Sequence, residues 1–103
     1  MYKLSFYVPE SHLEAVKSVL FSVGAGKIGN YDSCSWQTLG QGQFRALEGS
    51  DPYLGQQGTV ETVVEFKVEM ACEEALITRA IDALKQAHPY EEPAYEVVKL
   101  ADY

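Results

Sequence analysis

The stretch from residue 60 to residue 70 constrains the fold most strongly, because apolar residues alternate there with mostly charged ones. Valine, threonine, phenylalanine and methionine occupy every second position from Val60 to Met70, and four of the five positions between them carry Glu or Lys. Successive side chains of a strand point to opposite faces, so this pattern predicts a long strand with one apolar and one charged face.

Three further strands and two amphipathic helices are predicted around this strand. Alternation predicts a first strand over residues 2–8, ended by Pro9, and shorter strands over 34–39 and 95–100. Apolar residues at helical spacing predict helices over 11–23 and 73–87. The first helix begins with a capping-box pattern, Ser11 followed by Glu14.

The element order is therefore strand, helix, strand, strand, helix, strand, within a single domain that spans residues 1–103. This order is typical of the α+β ferredoxin-like βαββαβ sandwich, in which both helices cover one face of an antiparallel sheet. The opposite face is expected to be bare and to carry a mixed set of side chains. Its expected members include Ser5, Tyr7, Val63 and Glu65. We therefore expect a homo-oligomer, either a trimer or a dimer, in which another subunit covers part of this face.

Charge and cysteine content narrow the range of partners. Fifteen Asp and Glu residues against eight Lys and Arg residues give a formal net charge of −7, which disfavours nucleic acid and anionic membrane surfaces. No apolar run approaches the length of a membrane span. The two cysteines, Cys34 and Cys72, lie far apart and favour free thiols in a reducing compartment. We expect a soluble, cytoplasmic protein.

The glycines from Gly24 to Gly29 match the G-x-G-x-x-G pattern of dinucleotide-binding proteins. In those proteins the pattern precedes a helix whose N-terminus faces the pyrophosphate. Here it follows a predicted helix and precedes a strand. The glycines are therefore interpreted as a helix C-cap and a tight turn, and no cofactor is predicted.

The segment from His88 to Pro93 places an imidazole, a phenol and two carboxylates close together. Such a cluster serves metal binding or acid–base chemistry, and His88, Glu91 and Glu92 are the candidate metal ligands. Two prolines also make a rigid connection from helix to strand, and this structural interpretation is favoured because only one histidine is nearby. We expect these side chains to lie beside a cleft without forming a closed metal site.

Cys34 could act as a nucleophile only if the fold brought a base such as His88 to it. A half-buried thiol on a strand is the favoured interpretation, and Cys72 is expected to serve packing. Trp36 could stack on a planar ligand but is more typical of a core or interface residue. His12, at a helix start, is expected to face solvent.

Residues 40–58 form a glycine-rich stretch with little periodicity, which predicts a long loop or a distorted hairpin. Long irregular segments in compact domains are often functional, and Arg45 and several glutamines could donate hydrogen bonds to a ligand. The alternative is a twisted hairpin arm that grips a neighbouring subunit. The sequence leaves both interpretations open, and in neither is the segment expected to catalyse a reaction.

Several ordered motifs resemble one family. They are Gly24-Ala-Gly-Lys-Ile-Gly-Asn-Tyr31, Cys34-Ser-Trp36, Gly40-Gln-Gly-Gln-Phe44 and His88-Pro-Tyr-Glu-Glu-Pro-Ala-Tyr95. Together with Gly49 and Pro52 they cover nearly the whole chain and resemble the stand-alone form of the YqfO-type insert domain of Nif3-like proteins. That resemblance implies a ferredoxin-like fold similar to CutA and PII proteins. The candidate ligand-binding or interface residues are Tyr31, Trp36, Phe44, Arg45, His88, Tyr90, Glu91 and Glu92.

The resemblance also limits what can be inferred about activity. The dimetal site and the GTP cyclohydrolase label of full-length relatives belong to flanking domains, whose histidine-rich motifs are absent from this sequence. We therefore expect a non-enzymatic, homo-oligomeric binding or regulatory module with a small-molecule or protein partner. A CutA-like divalent metal-binding protein is the alternative, and a small enzyme that uses Cys34 or His88 is the last.

Overall fold

A computed structural model describes all 103 residues and contains four strands and two α-helices. The elements, in chain order, are β1 (Tyr2–Val8), α1 (Glu10–Val23), β2 (Trp36–Arg45), β3 (Val60–Cys72), α2 (Ile77–Ala87) and β4 (Tyr95–Lys99), with a 3-10 turn (Glu74–Leu76) before α2. No helix is long and apolar enough to cross a membrane.

The four strands form one antiparallel sheet in the order β2-β3-β1-β4. This order confirms the predicted ferredoxin-like sandwich. The core lies between the sheet and the two helices, because β1 and β3 turn alternate apolar side chains toward the apolar stripes of α1 and α2. Its largest fully buried side chains are Leu4, Phe6, Val8, Val16, Leu20, Val68, Cys72 and Leu84.

The turn after α1 is anchored at Gly26. Gly24 ends the helix in the left-handed conformation, with φ 110°, as the glycine pattern predicts. Gly26 is buried with φ 77°. Its N–H donates to the Ala71 carbonyl at 2.7 Å, and its carbonyl accepts from the Cys34 N–H at 2.8 Å. One glycine thus joins the helix exit to the end of β3 and to the approach to β2.

Of the two interpretations of residues 40–58, a long loop over the whole segment is wrong, and the hairpin agrees with the structure in the first part. Strand β2 continues to Arg45 and pairs in register with β3 as far as Val60. Pairing of β1 with β3 stops at Phe66, so the outer halves of β2 and β3 form a two-stranded arm. The irregular segment is limited to residues 46–59. The sequence pattern did not predict this part of the strand, because its glycines and glutamines break the apolar alternation that the prediction used.

The arm also alters the expected burial of β3. Its outer apolar residues lie beyond the reach of the helices, and Val60 and Val64 are more than half exposed. Only the inner half, from Phe66 onward, packs on the core. The alternating pattern predicted the strand correctly, but alternation by itself does not show where the covering helices end.

The helix starts differ from the expected ones. Helix α1 begins at Glu10 behind Pro9, and no side chain caps it. The capping-box prediction is therefore wrong, since the Ser11 hydroxyl instead lies 2.8 Å from His12 Nδ1. Helix α2 is shorter than predicted because a 3-10 turn occupies residues 74–76.

The sheet face opposite the helices is not bare along its whole length. Ser5 is buried there between Glu69 and Glu96 of the flanking strands. Tyr7, Val63 and Glu65 are half-buried. The expectation of a fully bare face is wrong at this end, where the segment 46–59 folds back beside the sheet.

The anchoring role of Gly26 can be tested with Gly26→Ala. An alanine Cβ would lie 2.8 Å from the Cys34 carbonyl oxygen, and the positive φ is strained for alanine. We expect the free energy of unfolding, measured by urea denaturation, to fall by about 1–3 kcal/mol. Gly40→Ala is the matched control, because that glycine lies in open space at an ordinary φ. Equal stability of the two variants would contradict the anchoring role of Gly26.

Candidate functional site

A cleft of about 390 Å³ lies at the arm end of the sheet. Its floor comes from β1 and the arm, one wall comes from the segment 46–59, and the other comes from the connection between α2 and β4. The lining residues are Tyr7, Gly42, Gln43, Phe44, Ala46, Ser50, Asp51, Pro52, Tyr53, Leu54, Glu65, Tyr90, Glu91, Glu92 and Ala94. The volume falls within the roughly 300–1,000 Å³ typical of small-molecule sites.

Hydrogen bonds fix the wall formed by residues 46–59. Its two ends meet where the Gly58 N–H donates to the Ala46 carbonyl at 2.8 Å. Within it, the Gln57 side-chain amide donates to the Ser50 carbonyl at 3.2 Å. The Asp51 N–H donates to a Glu91 carboxylate oxygen at 2.8 Å and so joins this wall to the opposite one. The cleft is therefore closed on one side by the chain itself.

Four aromatic rings connect the same wall to the helices. Tyr53 lies edge-on to His12 and tilted against Tyr90, with centroid separations of 5.9 and 6.0 Å. Tyr90 in turn contacts the His88 ring at 4.7 Å. These separations are typical of favourable aromatic pairs. His12 is half-buried against Tyr53, so it faces solvent only in part.

The His88 imidazole uses both of its nitrogens to hold the cleft wall. Nε2 lies 2.7 Å from the Tyr7 carbonyl oxygen, which can only accept, and Nδ1 lies 3.1 Å from the Tyr90 N–H, which can only donate. These partners require the neutral tautomer with the proton on Nε2. Burial lowers the pKa of His88, although the Tyr7 carbonyl and the Glu65 charge oppose the decrease.

This bonding bears on the predicted metal ligands. His88 has no free lone pair for a metal, since Nδ1 accepts from Tyr90 and Nε2 carries the proton. One Glu91 oxygen already accepts from Asp51. No group of three or more His, Cys, Asp and Glu side chains is arranged to hold a metal ion.

The Tyr90 hydroxyl is the one buried side-chain polar atom in the chain that has no hydrogen-bond partner. Burial raises the pKa of Tyr90, and the nearby Glu65 carboxylate raises it further without completing a hydrogen bond of normal geometry. A hydrogen bond to Glu96, of 2.6 Å, is the main cause that raises the pKa of Tyr7. Both phenols are therefore neutral near pH 7.

The structure separates the sequence-predicted site residues into two groups. Phe44, Tyr90, Glu91 and Glu92 line the cleft, and His88 supports it from behind. Tyr31, Trp36 and Arg45 lie outside it and are exposed. The cleft residues that sequence reasoning missed are chiefly Asp51 and Tyr53, in a segment without periodicity, and the sheet residues Tyr7 and Glu65.

Trp36 and Cys34 belong to a second hollow at the other end of the sheet. Lys3, Ile28 and Leu100 also line it. Trp36 is 70% exposed. The Cys34 thiol precedes β2 and donates weakly to the Asp32 carbonyl at 3.5 Å. No hydrogen bond joins Cys34 to His88, whose two nitrogens bond Tyr7 and Tyr90.

Known structures with the same architecture define the class of fold. CutA1 from Pyrococcus horikoshii superposes with a TM-score of 0.73 over 100% of this chain and 86% of its own, at 17% identity. The PII-like protein CutA from Nostoc sp. PCC 7120 in apo form gives a TM-score of 0.69 at 16% identity, over 97% of this chain and 81% of its own. The chain is thus a ferredoxin-like domain with the CutA-type fold.

Closer sequence similarity lies with Nif3-related proteins. A Bacillus cereus protein related to NIF3 has a TM-score of 0.85 and 38% identity over 98% of this chain and 26% of its own. Curated proteins named GTP cyclohydrolase 1 type 2 homolog match as well. The protein from Halalkalibacterium halodurans is 41% identical over 99% of this chain and 27% of its own length. The protein from Mycobacterium tuberculosis is 44% identical over 95% of this chain and 26% of its own length.

The resemblance to Nif3-like proteins is therefore confirmed over nearly the whole chain. The chain spans about a quarter of the length of the curated relatives that it matches. A scan against models of known protein families found no match.

Because the His88 imidazole is bonded in its neutral form, we expect the free energy of unfolding to depend on pH in a specific way. Its pKa in the folded protein is lower than the ordinary 6.5, so below that pH the unfolded chain binds a proton that the folded chain resists. Stability should decline as the pH falls from about 6.5 toward the folded-state pKa. Urea denaturation of wild type between neutral and mildly acidic pH measures this decline.

Histidine variants assign the decline to one residue. His88→Gln retains a donor for the Tyr7 carbonyl but cannot titrate, so it should be less stable at neutral pH and should lose most of the decline. His12→Gln changes the only other histidine and should retain the decline. If the stability of His88→Gln declined with falling pH as steeply as that of wild type, His88 would not be the titrating group.

Proposed function

We propose that this chain is a non-enzymatic, homo-oligomeric binding or regulatory module of the PII/CutA-like type, with the cleft beside Tyr90 as its ligand site. The observation that carries the proposal is the cleft itself. It has a suitable volume, aromatic and acidic walls, and a buried hydroxyl without a partner. Most buried polar groups in folded proteins are hydrogen-bonded, so this hydroxyl supports a ligand that completes it.

The side chains of the cleft support binding more than catalysis. Its neighbouring imidazole is occupied on both nitrogens, so it lacks a free position for proton transfer. Neither cysteine lines it: Cys34 lies in the other hollow, and Cys72 is buried in the core, where burial raises its pKa. The cyclohydrolase name belongs to relatives about four times longer than this chain.

A CutA-like metal-binding role is the alternative that the fold suggests. It is the weaker candidate because His88 is committed to backbone groups and the cleft carboxylates are not grouped with other ligands around one point. Oxygen-rich sites for divalent cations need several convergent ligands.

The helix-free face of the sheet, at the end opposite the arm, supports association between copies of the chain. Trp36 is 70% exposed, and Val98 and Leu100 are 52% and 40% exposed on the flank of β1. Exposed apolar groups of this kind are typical of protein interfaces. This apolar patch, defined by Trp36, Val98 and Leu100, lies at the opposite end of β1 from Tyr7. The free thiols favour a reducing compartment such as the cytoplasm.

Ligand binding can be tested by thermal shift with nucleotides, divalent metal salts, amino acids and organic amines in separate wells. We expect at least one class to raise the melting temperature. Gly42→Leu, which fills the cleft floor, should abolish that increase. Thr38→Leu is the matched control on the same strand and face, opposite Lys67 and outside the cleft. A panel without any stabilising compound, or an increase retained by Gly42→Leu, would contradict the proposed site.

Association can be tested by light scattering at micromolar concentration. We expect wild type to be an oligomer and Val98→Asp to be a monomer, because burying a carboxylate in an apolar interface is costly. Val19→Asp places the same change on α1, on the opposite side of the sheet, and should leave the oligomer intact. A monomeric wild type, or equal behaviour of the two variants, would remove the oligomer from the proposal.

A further inference from the structure

The charges around the cleft are all of one sign. Four carboxylates line it, from Asp51, Glu65, Glu91 and Glu92, and no Lys, Arg or His does. The three ion pairs of the chain lie elsewhere and join Lys3 and Lys67 to Glu69, and Lys17 to Glu14. The cleft therefore gathers four carboxylates of which none takes part in an ion pair.

The walls between these carboxylates are aromatic. Tyr7, Phe44, Tyr53 and Tyr90 all line the cleft. The faces of aromatic rings attract cations, and the attraction is stronger where water is excluded. A bare metal ion makes no use of such walls and needs grouped ligands, which are absent. An organic cation uses both the rings and the carboxylates.

The Tyr90 hydroxyl indicates where a hydrogen-bond donor of the ligand should lie. Its oxygen is buried and unpartnered beside Glu65. An N–H of a bound ammonium group could donate to this oxygen and pair with the Glu65 charge at the same time. An anionic ligand would meet four carboxylates, and a neutral one would leave them uncompensated.

We propose, building on the function proposed above, that the cleft binds an organic ammonium compound whose charged nitrogen is held between Glu65 and the Tyr90 hydroxyl. The apolar body of the ligand lies against the tyrosine and phenylalanine rings. The acidic residues on the rim, Asp51 and Glu91, accommodate a second amino group, so that an aliphatic diamine is a suitable probe.

The apolar patch and the cleft lie at opposite ends of the same sheet face. Lys3 marks the patch end of β1 and Tyr7 the cleft end, and four residues of extended strand separate them by about 13 Å.

Calorimetric titration with cadaverine at physiological ionic strength tests the proposal. Pentanediol and glutarate have chains of the same length without positive charge, and calcium chloride supplies a bare cation. We expect saturable binding of cadaverine at one site per chain and none of the other three. Binding of pentanediol, glutarate or calcium in place of cadaverine would overturn the ammonium assignment.

Variants locate the bound nitrogen. Glu65→Gln should weaken cadaverine binding about tenfold or more, because it removes a charged hydrogen-bond partner. Glu74→Gln removes an exposed carboxylate outside the cleft and should not change the affinity. Equal weakening by both variants would show that cadaverine is attracted only by the net charge of −7.

Tyr90→Phe separates ligand recognition from folding. It removes the unpartnered hydroxyl, so we expect cadaverine to bind about threefold more weakly or worse, while the free protein keeps or gains thermal stability. Unchanged cadaverine affinity in this variant would contradict the role of the hydroxyl. If the thermal-shift panel finds another compound class that Gly42→Leu blocks, the ammonium inference fails and the proposed function stands. If no compound of any class binds, both fail.

Discussion

The hydrogen bond from the His88 imidazole to the Tyr7 carbonyl connects the two halves of this molecule. It ties the end of α2 to the end of the central strand β1 across 81 positions of the sequence, and the second nitrogen of the same ring accepts from the Tyr90 N–H. Tyr90 and the carboxylates after it are thereby held against the sheet. The same wall is also held by the hydrogen bond from the Asp51 N–H to Glu91 and by the contact between the Tyr53 and Tyr90 rings.

The fold separates stability from binding along the length of the sheet. At the helix-covered end, β1 and β3 supply a closed apolar core, and Gly26 fixes the turn that leads into β2. At the other end β2 and β3 continue beyond the helices as an arm, and residues 46–59 return to form the cleft. The four cleft carboxylates and the unpartnered hydroxyl lie at this end, away from the core.

Periodicity in the sequence predicted the fold well because the core is built from alternation and from helical stripes. It predicted β1, most of β3, both helices and the order of elements. It failed at residues 40–45, where glycines and glutamines pair through backbone hydrogen bonds that leave no side-chain pattern. The cleft was predicted only in part. The motif from His88 to Pro93 stands out by composition, whereas Tyr7 and Glu65 join it through the register of β1 and β3, and Tyr53 through a loop that no local pattern positions.

The protonation state of His88 tests the central claim most directly, since the claim is that a neutral imidazole holds the cleft together. Long-range proton–nitrogen correlation NMR of the two histidines at pH 7 distinguishes the tautomers. The hydrogen bonds require Nε2 of His88 to carry the proton and Nδ1 to show the shift of an unprotonated acceptor. A proton on Nδ1, or an imidazolium at pH 7, would contradict the account.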